Sequence, residues 1–213
     1  INKLSKLVKP DLAIITNIAE AHIENFKNIK DIAKAKSEII QNINKNGTVF
    51  INRDDNFFHF LHEKARKKKL KILFFGFSKK ADIFPISINK KAKKILMKIN
   101  VMNEICHITT KDINYYNILS AIGVLKYFNL DLKKIHNNKH FLQAISGRGS
   151  IHNVKRYNKK FKLIDESYNA NPLSVKNAIF NLSNIKKNNS KKYLLLGDML
   201  ELGNKSDYYH KNL

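Results

Sequence analysis

Apolar residues recur along this chain in two rhythms that predict alternating strands and helices. Residues 11–17 (Asp11-Leu12-Ala13-Ile14-Ile15-Thr16-Asn17) form a short apolar run ending in polar residues, the pattern of a buried parallel strand. Residues 48–52 and 71–77 repeat it. Helices are predicted over 31–43, with Asp31 as N-cap, and over 56–68. Three weaker runs between 83 and 108 alternate (Ile86, Ile88; Leu96, Lys98), which predicts a half-exposed antiparallel section. A helix over 114–128 places Ile118, Leu119, Ile122 and Leu125 on one face, and 132–145 carries one or two further helical turns.

Ser146-Gly147-Arg148-Gly149 interrupts this order and predicts a domain boundary, giving domains 1–146 and 147–213. Beyond it a strand over 160–164, a helix over 172–182, a polar loop over 186–192 and a strand over 193–196 would make a right-handed βαβ unit. Asn171 fits the N-cap of that helix and Pro172 its first position. The turn between strand and helix, Asp165-Glu166-Ser167-Tyr168-Asn169-Ala170-Asn171-Pro172, crowds two acids, a hydroxyl, a phenol and two carboxamides. Ligands of open α/β sheets bind beyond the carboxyl ends of strands, so this turn is the first candidate site. A second polar turn, Gly197 to Gly203, follows the last predicted strand.

Composition adds limits. The chain has 213 residues, 43% of them hydrophobic, enough for a real core. Its single cysteine, Cys106, excludes an internal disulfide and suits a reducing, cytoplasmic setting. No apolar stretch approaches the ~20 residues of a membrane-spanning helix. The net charge of +23 raises nucleic-acid binding as a reading. Against it, only Arg53, Arg66, Arg148 and Arg156 are arginine, and lysine is spread along the whole chain. Abundant Lys, Asn and Ile, with scarce Gly and Pro, point instead to an AT-rich genome. No RNA-binding pattern with interleaved aromatics occurs, and no nucleic-acid partner is expected.

Two further residues stand out. On the 31–43 helix, Lys36 lies four positions from both Ile32 and Ile40, on the apolar face. A lysine there must snorkel, pair or lose its charge. His22 lies just past the end of the first strand and alone is a weak signal.

The turns at 165–172 and 196–203 resemble those of the Mur ligase family. The likeness extends to Thr16-Asn17-Ile18-Ala19-Glu20-Ala21-His22, to residues 33–39 and to 114–117. Within the family it points to the ligases that join D-alanyl-D-alanine to UDP-MurNAc-tripeptide. The resemblance implies part of a central ATPase domain, a mostly parallel sheet flanked by helices, followed by the first half of a Rossmann-like C-terminal domain. It implies ATP and Mg²⁺ as cofactors and amide-bond formation through an acyl phosphate, in a cytoplasmic monomer serving peptidoglycan synthesis.

Residue by residue, it implies that Lys36 is carbamylated and, with His22, holds a magnesium ion. A carbamate is an anionic oxygen ligand of the kind magnesium prefers. Asn114 and Asn117 match the family's adenine-reading pattern, although Ile113 stands where the family has histidine, and Asn114 is equally a helix cap. Arg148, Asp165 and Glu166 would contact the nucleotide, with Glu166 in place of the family's common aspartate. Tyr168, Asn169 and Asn171 would face the reaction centre or the incoming dipeptide, although Asn171 is equally a cap. The phosphate loop Gly-x-x-x-x-Gly-Lys-[Ser/Thr] does not occur in this sequence. With a first residue other than Met, the expectation is an internal piece of the enzyme, inactive alone. A sister Mur enzyme, or a folylpolyglutamate synthase-type ligase, remains the alternative within the superfamily.

Overall fold

A computed structural model describes residues 1–21, 23–91, 94–110, 114–133, 146–185 and 191–213. It divides into two compact units, Ile1–Ile18 with Ala33–Gln143, and Ala19–Ile32 with Ala144–Leu213. His22 and most of the helical turns expected over 132–145 lie outside the described residues.

The first unit is built on a six-stranded sheet in sequential order: β1 (Leu12–Ile15), β2 (Thr48–Asn52), β3 (Lys71–Phe75), β4 (Ile83–Lys91), β5 (Lys94–Val101) and β6 (Glu104–Thr110). The first four strands pair in parallel and the last three antiparallel, so the sheet is mixed as expected. Helices α1 (Asn2–Val8), α2 (Ile29–Gln41), α3 (Phe58–Lys67) and α4 (Tyr115–Tyr127) accompany it. Helix α1 was not foreseen, because its apolar positions, Leu4, Leu7 and Val8, are exposed and mark no buried face.

β2 is buried at all five positions because it is paired on both edges and covered on both faces. Its Phe50 packs toward α4, where Gly123 lets the helix approach. A Cβ at Gly123 would meet Phe50 Cε1 at 2.8 Å and Ile83 Cδ1 at 3.0 Å. β1, expected to be fully buried, is instead the sheet's first strand, with Ile14 36% exposed. β5 and β6 alternate as predicted, with Ile95, Met97, Ile99 and Val101 in the core and Leu96 exposed, whereas β4 shifts register between Pro85 and Ser87 and leaves Ile86 46% exposed.

The second unit contains a hairpin of β7 (Ser150–Arg156) and β8 (Lys159–Asp165), α5 (Pro172–Asn184), and a 3-10 turn at Gly203–Lys205 leading into α6 (Ser206–Lys211). Tyr157 and Asn158 both have positive φ (50° and 59°), the geometry of a two-residue hairpin turn whose twist matches the strands. β7 was not expected, since Ser150–Arg156 has no apolar alternation.

The predicted strand over 193–196 is absent, and with it the βαβ unit. Residues 191–200 carry no regular structure, and Leu195 is 98% exposed. A buried parallel strand needs a ladder partner and cover on both faces. Among the described residues, β8 pairs only with β7, antiparallel.

Candidate functional site

In the first unit the site begins where β1 ends. The buried stripe of α2 runs through Ile32, Ala33, Ser37 and Ile40, and Lys36 lies at its margin, half-buried. The expected core-facing lysine therefore neither sits fully in the stripe nor points away from it. Its Nζ donates to the Asn17 carbonyl at 3.0 Å. Burial pushes the Lys36 amine below its ordinary pKa, and the nearby Asp55 carboxylate partly opposes that shift.

The loop that receives Lys36 is fastened from β2. Asn52 Nδ2 donates to the Thr16 carbonyl at 3.0 Å, and the Ile18 N–H donates to Asp55 Oδ2 at 2.7 Å. Asp55 Oδ1 accepts the Phe57 N–H at 2.8 Å, which turns the chain into α3. Asp54, the preceding acid, accepts the N–H groups of Phe77 (2.5 Å) and Ser78 (3.3 Å) and the Tyr116 hydroxyl (3.2 Å). Gly76 permits this closeness, since a Cβ there would meet Asp54 Oδ2 at 2.7 Å. Burial, then the Asp54 charge and hydrogen bond, push the Tyr116 phenol up to about 12. The Arg53 guanidinium lies over the rings of Phe58 and Phe74, at 4.7 and 5.4 Å.

Asn52, Asp54 and Asp55 were missed in the sequence. The available signal was the polar cluster Asn52-Arg53-Asp54-Asp55-Asn56 directly after an apolar strand, the same strand-end pattern as 165–172. Through Asp54 and Tyr116 this turn reaches the start of α4, where Asn114 is the N-cap and its side chain accepts the Asn117 N–H. The capping reading of Asn114 is thus realised. Asn117 is exposed one helical turn on.

In the second unit the crowded turn folds back on the glycines at 147–149. Asp165 accepts the Gly147 N–H at 3.2 Å, the Ser167 N–H at 3.0 Å and the Ser167 hydroxyl at 2.6 Å. Those bonds, the Ser167 hydroxyl first, hold its carboxyl below the usual range. The Tyr168 N–H donates to the Gly147 carbonyl at 3.1 Å, and the Gly149 N–H to the Asp165 carbonyl at 2.8 Å. Gly147 and Gly149 both have positive φ, 75° and 85°. Glu166 lies against Gly149, where a Cβ would meet its Oε1 at 3.2 Å. The Arg148 guanidinium stacks 4.3 Å from the Tyr168 ring centroid. Arg148, Asp165, Glu166 and Tyr168 are therefore brought together. Asn171 caps α5 in a full capping box with Ser174, and Asn169 is exposed.

The second polar turn meets the first. A cavity of about 260 Å³ is lined by Ala21, Asn169, Ala170, Asn171, Leu200, Glu201 and Leu202. Met199 and Leu202 are buried, and the Met199 N–H donates to His210 Nε2 at 3.0 Å, which fastens this turn to α6. Glu201 adopts φ 60°, an uncommon conformation for a residue with a side chain, and its carbonyl accepts the Glu24 N–H at 3.1 Å. Among the described residues no three His, Cys, Asp or Glu side chains cluster as a ready-made metal site. No described helix is long and apolar enough to cross a membrane.

Comparisons with known proteins bear on the family and the fold. The chain is 32% identical over 212 residues to the UDP-N-acetylmuramoyl-tripeptide--D-alanyl-D-alanine ligase of Buchnera aphidicola subsp. Baizongia pistaciae, covering 97% of this chain and 44% of that protein. It superposes on MurF from Acinetobacter baumannii with a TM-score of 0.84 at 25% identity, over 99% of this chain and 45% of that one. MurF from Thermotoga maritima, solved in complex with ADP, shares the fold with a TM-score of 0.81 at 22% identity, over 100% of this chain and 47% of that one. The chain thus spans about half the length of the relatives it matches. Residues 2–125, more than half of the chain, match the Mur ligase middle domain, and the chain belongs to the Mur ligase family.

Proposed function

We propose that this chain is part of an ATP-dependent ligase that joins D-alanyl-D-alanine to UDP-MurNAc-tripeptide in peptidoglycan precursor synthesis. The observation that carries the reading is the cavity at which the two family turns, 165–172 and 196–203, meet. Residues 1–146 are assigned to the central ATP-binding domain and 147–213 to the beginning of the C-terminal domain. In the reaction, a substrate carboxylate oxygen attacks the γ-phosphorus of ATP, ADP leaves, and an acyl phosphate forms. The dipeptide amine then attacks the acyl carbon and phosphate departs.

Each group has a task in that scheme. Asn117, with Asn114 at the helix start, reads the adenine, since a carboxamide donates and accepts together. Arg148 leaves the Tyr168 ring or shares it while meeting phosphate oxygens, and Asp165 and Glu166 face the ribose or phosphates. Tyr168, Asn169 and Asn171 orient the incoming dipeptide, with the Asn171 side chain giving α5 its starting point.

The residues present fit a magnesium site in one respect: the half-buried Lys36 amine, its pKa lowered by burial, suits reaction with carbon dioxide. Lys36 as a carbamate and His22 would hold Mg²⁺, which when bound offsets repulsion between ATP and the substrate carboxylate. The protein works in the cytoplasm as a monomer and needs no nucleic acid.

Chemical-shift mapping on residues 1–213 tests the reading. ATP with Mg²⁺ is expected to shift Asn114, Asn117, Arg148, Asp165 and Glu166, and D-alanyl-D-alanine to shift Asn169 to Asn171 and Leu200 to Leu202. Ligase turnover by residues 1–213 alone is expected to be absent, because the phosphate loop is not in this sequence. No response to either ligand, with RNA binding that falls steeply with salt, would sink the reading.

A further inference from the structure

We propose that Asp55 and Asn52 are positioning residues for Lys36, acting through the loop at Thr16 to Ile18 and above all through the Asn17–Ile18 peptide group. This deepens the reading of Lys36 given above and rests on it for its catalytic meaning.

The geometry is specific. The Asn17 carbonyl accepts from Lys36 Nζ at 3.0 Å, and the Ile18 N–H donates to Asp55 Oδ2 at 2.7 Å. Those two atoms are the opposite ends of one peptide bond. An ammonium therefore sits at the negative end of a peptide dipole and a carboxylate at its positive end, each in its favourable place. One residue earlier, the Thr16 carbonyl accepts from Asn52 Nδ2 at 3.0 Å. Asn52 is itself buried, 5% exposed, and fixed at the end of the fully buried β2. The loop is thereby referenced to the fully buried strand of the sheet, and the Lys36 amine is referenced to the loop.

A capping role alone does not account for this. Asp55 Oδ1 already serves the start of α3 through Phe57, and Oδ2 is spent 37 residues away in sequence on Ile18. Asn52 likewise accepts the Asp54 N–H with its oxygen, at 3.0 Å, while its NH₂ reaches across to Thr16. In both residues one polar atom shapes the local turn and the other holds the loop under Lys36. A lysine that must present its amine at one point, half out of water, benefits from that reference. Its flexible stem would otherwise sample many positions.

The test reads Lys36 directly. Residues 1–213 are acylated at trace level with an amine-reactive acetyl ester, and the Lys36 rate is compared with that of Lys34, exposed on the same helix, by peptide mass spectrometry. Asp55→Ala and Asn52→Ala should each raise the Lys36-to-Lys34 ratio by about threefold to tenfold, the equivalent of one net hydrogen bond. Amide exchange across α2 and β2 that stays unchanged in the variants excludes general loosening as the cause. An unchanged ratio in Asp55→Ala overturns the proposal. So does a rise in Asp55→Ala with none in Asn52→Ala, since that would be an effect of charge rather than of place. If Asp55→Ala does not fold, Asn52→Ala, which alters no charge, decides the matter by itself.

A second readout separates this proposal from the reading it rests on. With ¹³C-bicarbonate, the wild-type chain should show a lysine carbamate carbon signal. A wild-type chain without that signal, but with the expected acylation ratios, removes the carbamate from the proposed function and leaves the positioning role standing.

Discussion

The strands β2 and β8 are of similar length and live by different rules. β2 is buried at every position, paired on both edges, with Phe50 wholly inside. β8 is exposed at its first five positions and paired on one edge, with Phe161 and Leu163 each 50% exposed. The first is held by packing, which is unforgiving of volume. The second is held by its ladder and by polar bonds at its end, where Asp165 gathers Gly147 and Ser167. The corner around Lys36 inherits its geometry from the packed unit, and the turn at 165–172 inherits its own from hydrogen bonds.

Volume changes should divide the two units most sharply. Phe50→Ala is expected to cost about 3–5 kcal/mol in urea unfolding, while Leu163→Ala should stay within about 1 kcal/mol. Equal losses would erase the distinction. Next in size, Gly123→Val forces side-chain atoms against Phe50 and Ile83 and should cost about 1–3 kcal/mol, with the loss confined to the sheet unit. In the other unit, Asn171→Ala removes half of a capping box and should cost about 1 kcal/mol. That loss should appear as faster amide exchange in the first turn of α5, with the sheet unchanged.

The remaining effect concerns pH. The Tyr116 phenol titrates at about 12 in the folded chain against an ordinary 10.0, chiefly through burial and then through Asp54. A raised folded value means that the folded chain holds the proton more tightly. The stability this contributes is complete below pH 10 and is lost as pH rises from about 10 to 12. Tyr116→Phe should flatten that alkaline loss, seen by comparing urea midpoints at moderate and high pH. A loss of the same steepness in the variant would show that Tyr116 does not carry the alkaline titration.

How much of this was legible depends on the range of the interactions involved. Strands β2 and β3 and helices α3 and α4 could be read because burial writes periodicity into adjacent residues. The hairpin strand β7 could not, because its exposed residues keep no such record. Its turn is Tyr157-Asn158, and the matching turn between β5 and β6 is Met102-Asn103. All four residues take positive φ without glycine, so the usual Asn-Gly mark was missing. The run at 193–196 erred in the opposite direction, with apolar residues predicting a strand for which the described residues supply no ladder partner. At the sites, Asn114 and Asn171 were readable as caps because a cap bonds three residues away. Asp55 was not, since its significance depends on Ile18, which only the folded sheet brings near.

The Asn17–Ile18 peptide group also has a spectroscopic consequence. A carbonyl facing an ammonium, in an amide whose N–H faces a carboxylate, is polarised at both ends, which weakens its C=O stretch. A ¹³C=O label at Asn17 would therefore give a red-shifted infrared band that follows the state of the Lys36 amine from within the backbone. The corner carries its own vibrational reporter, with no probe added to the side chains that line it.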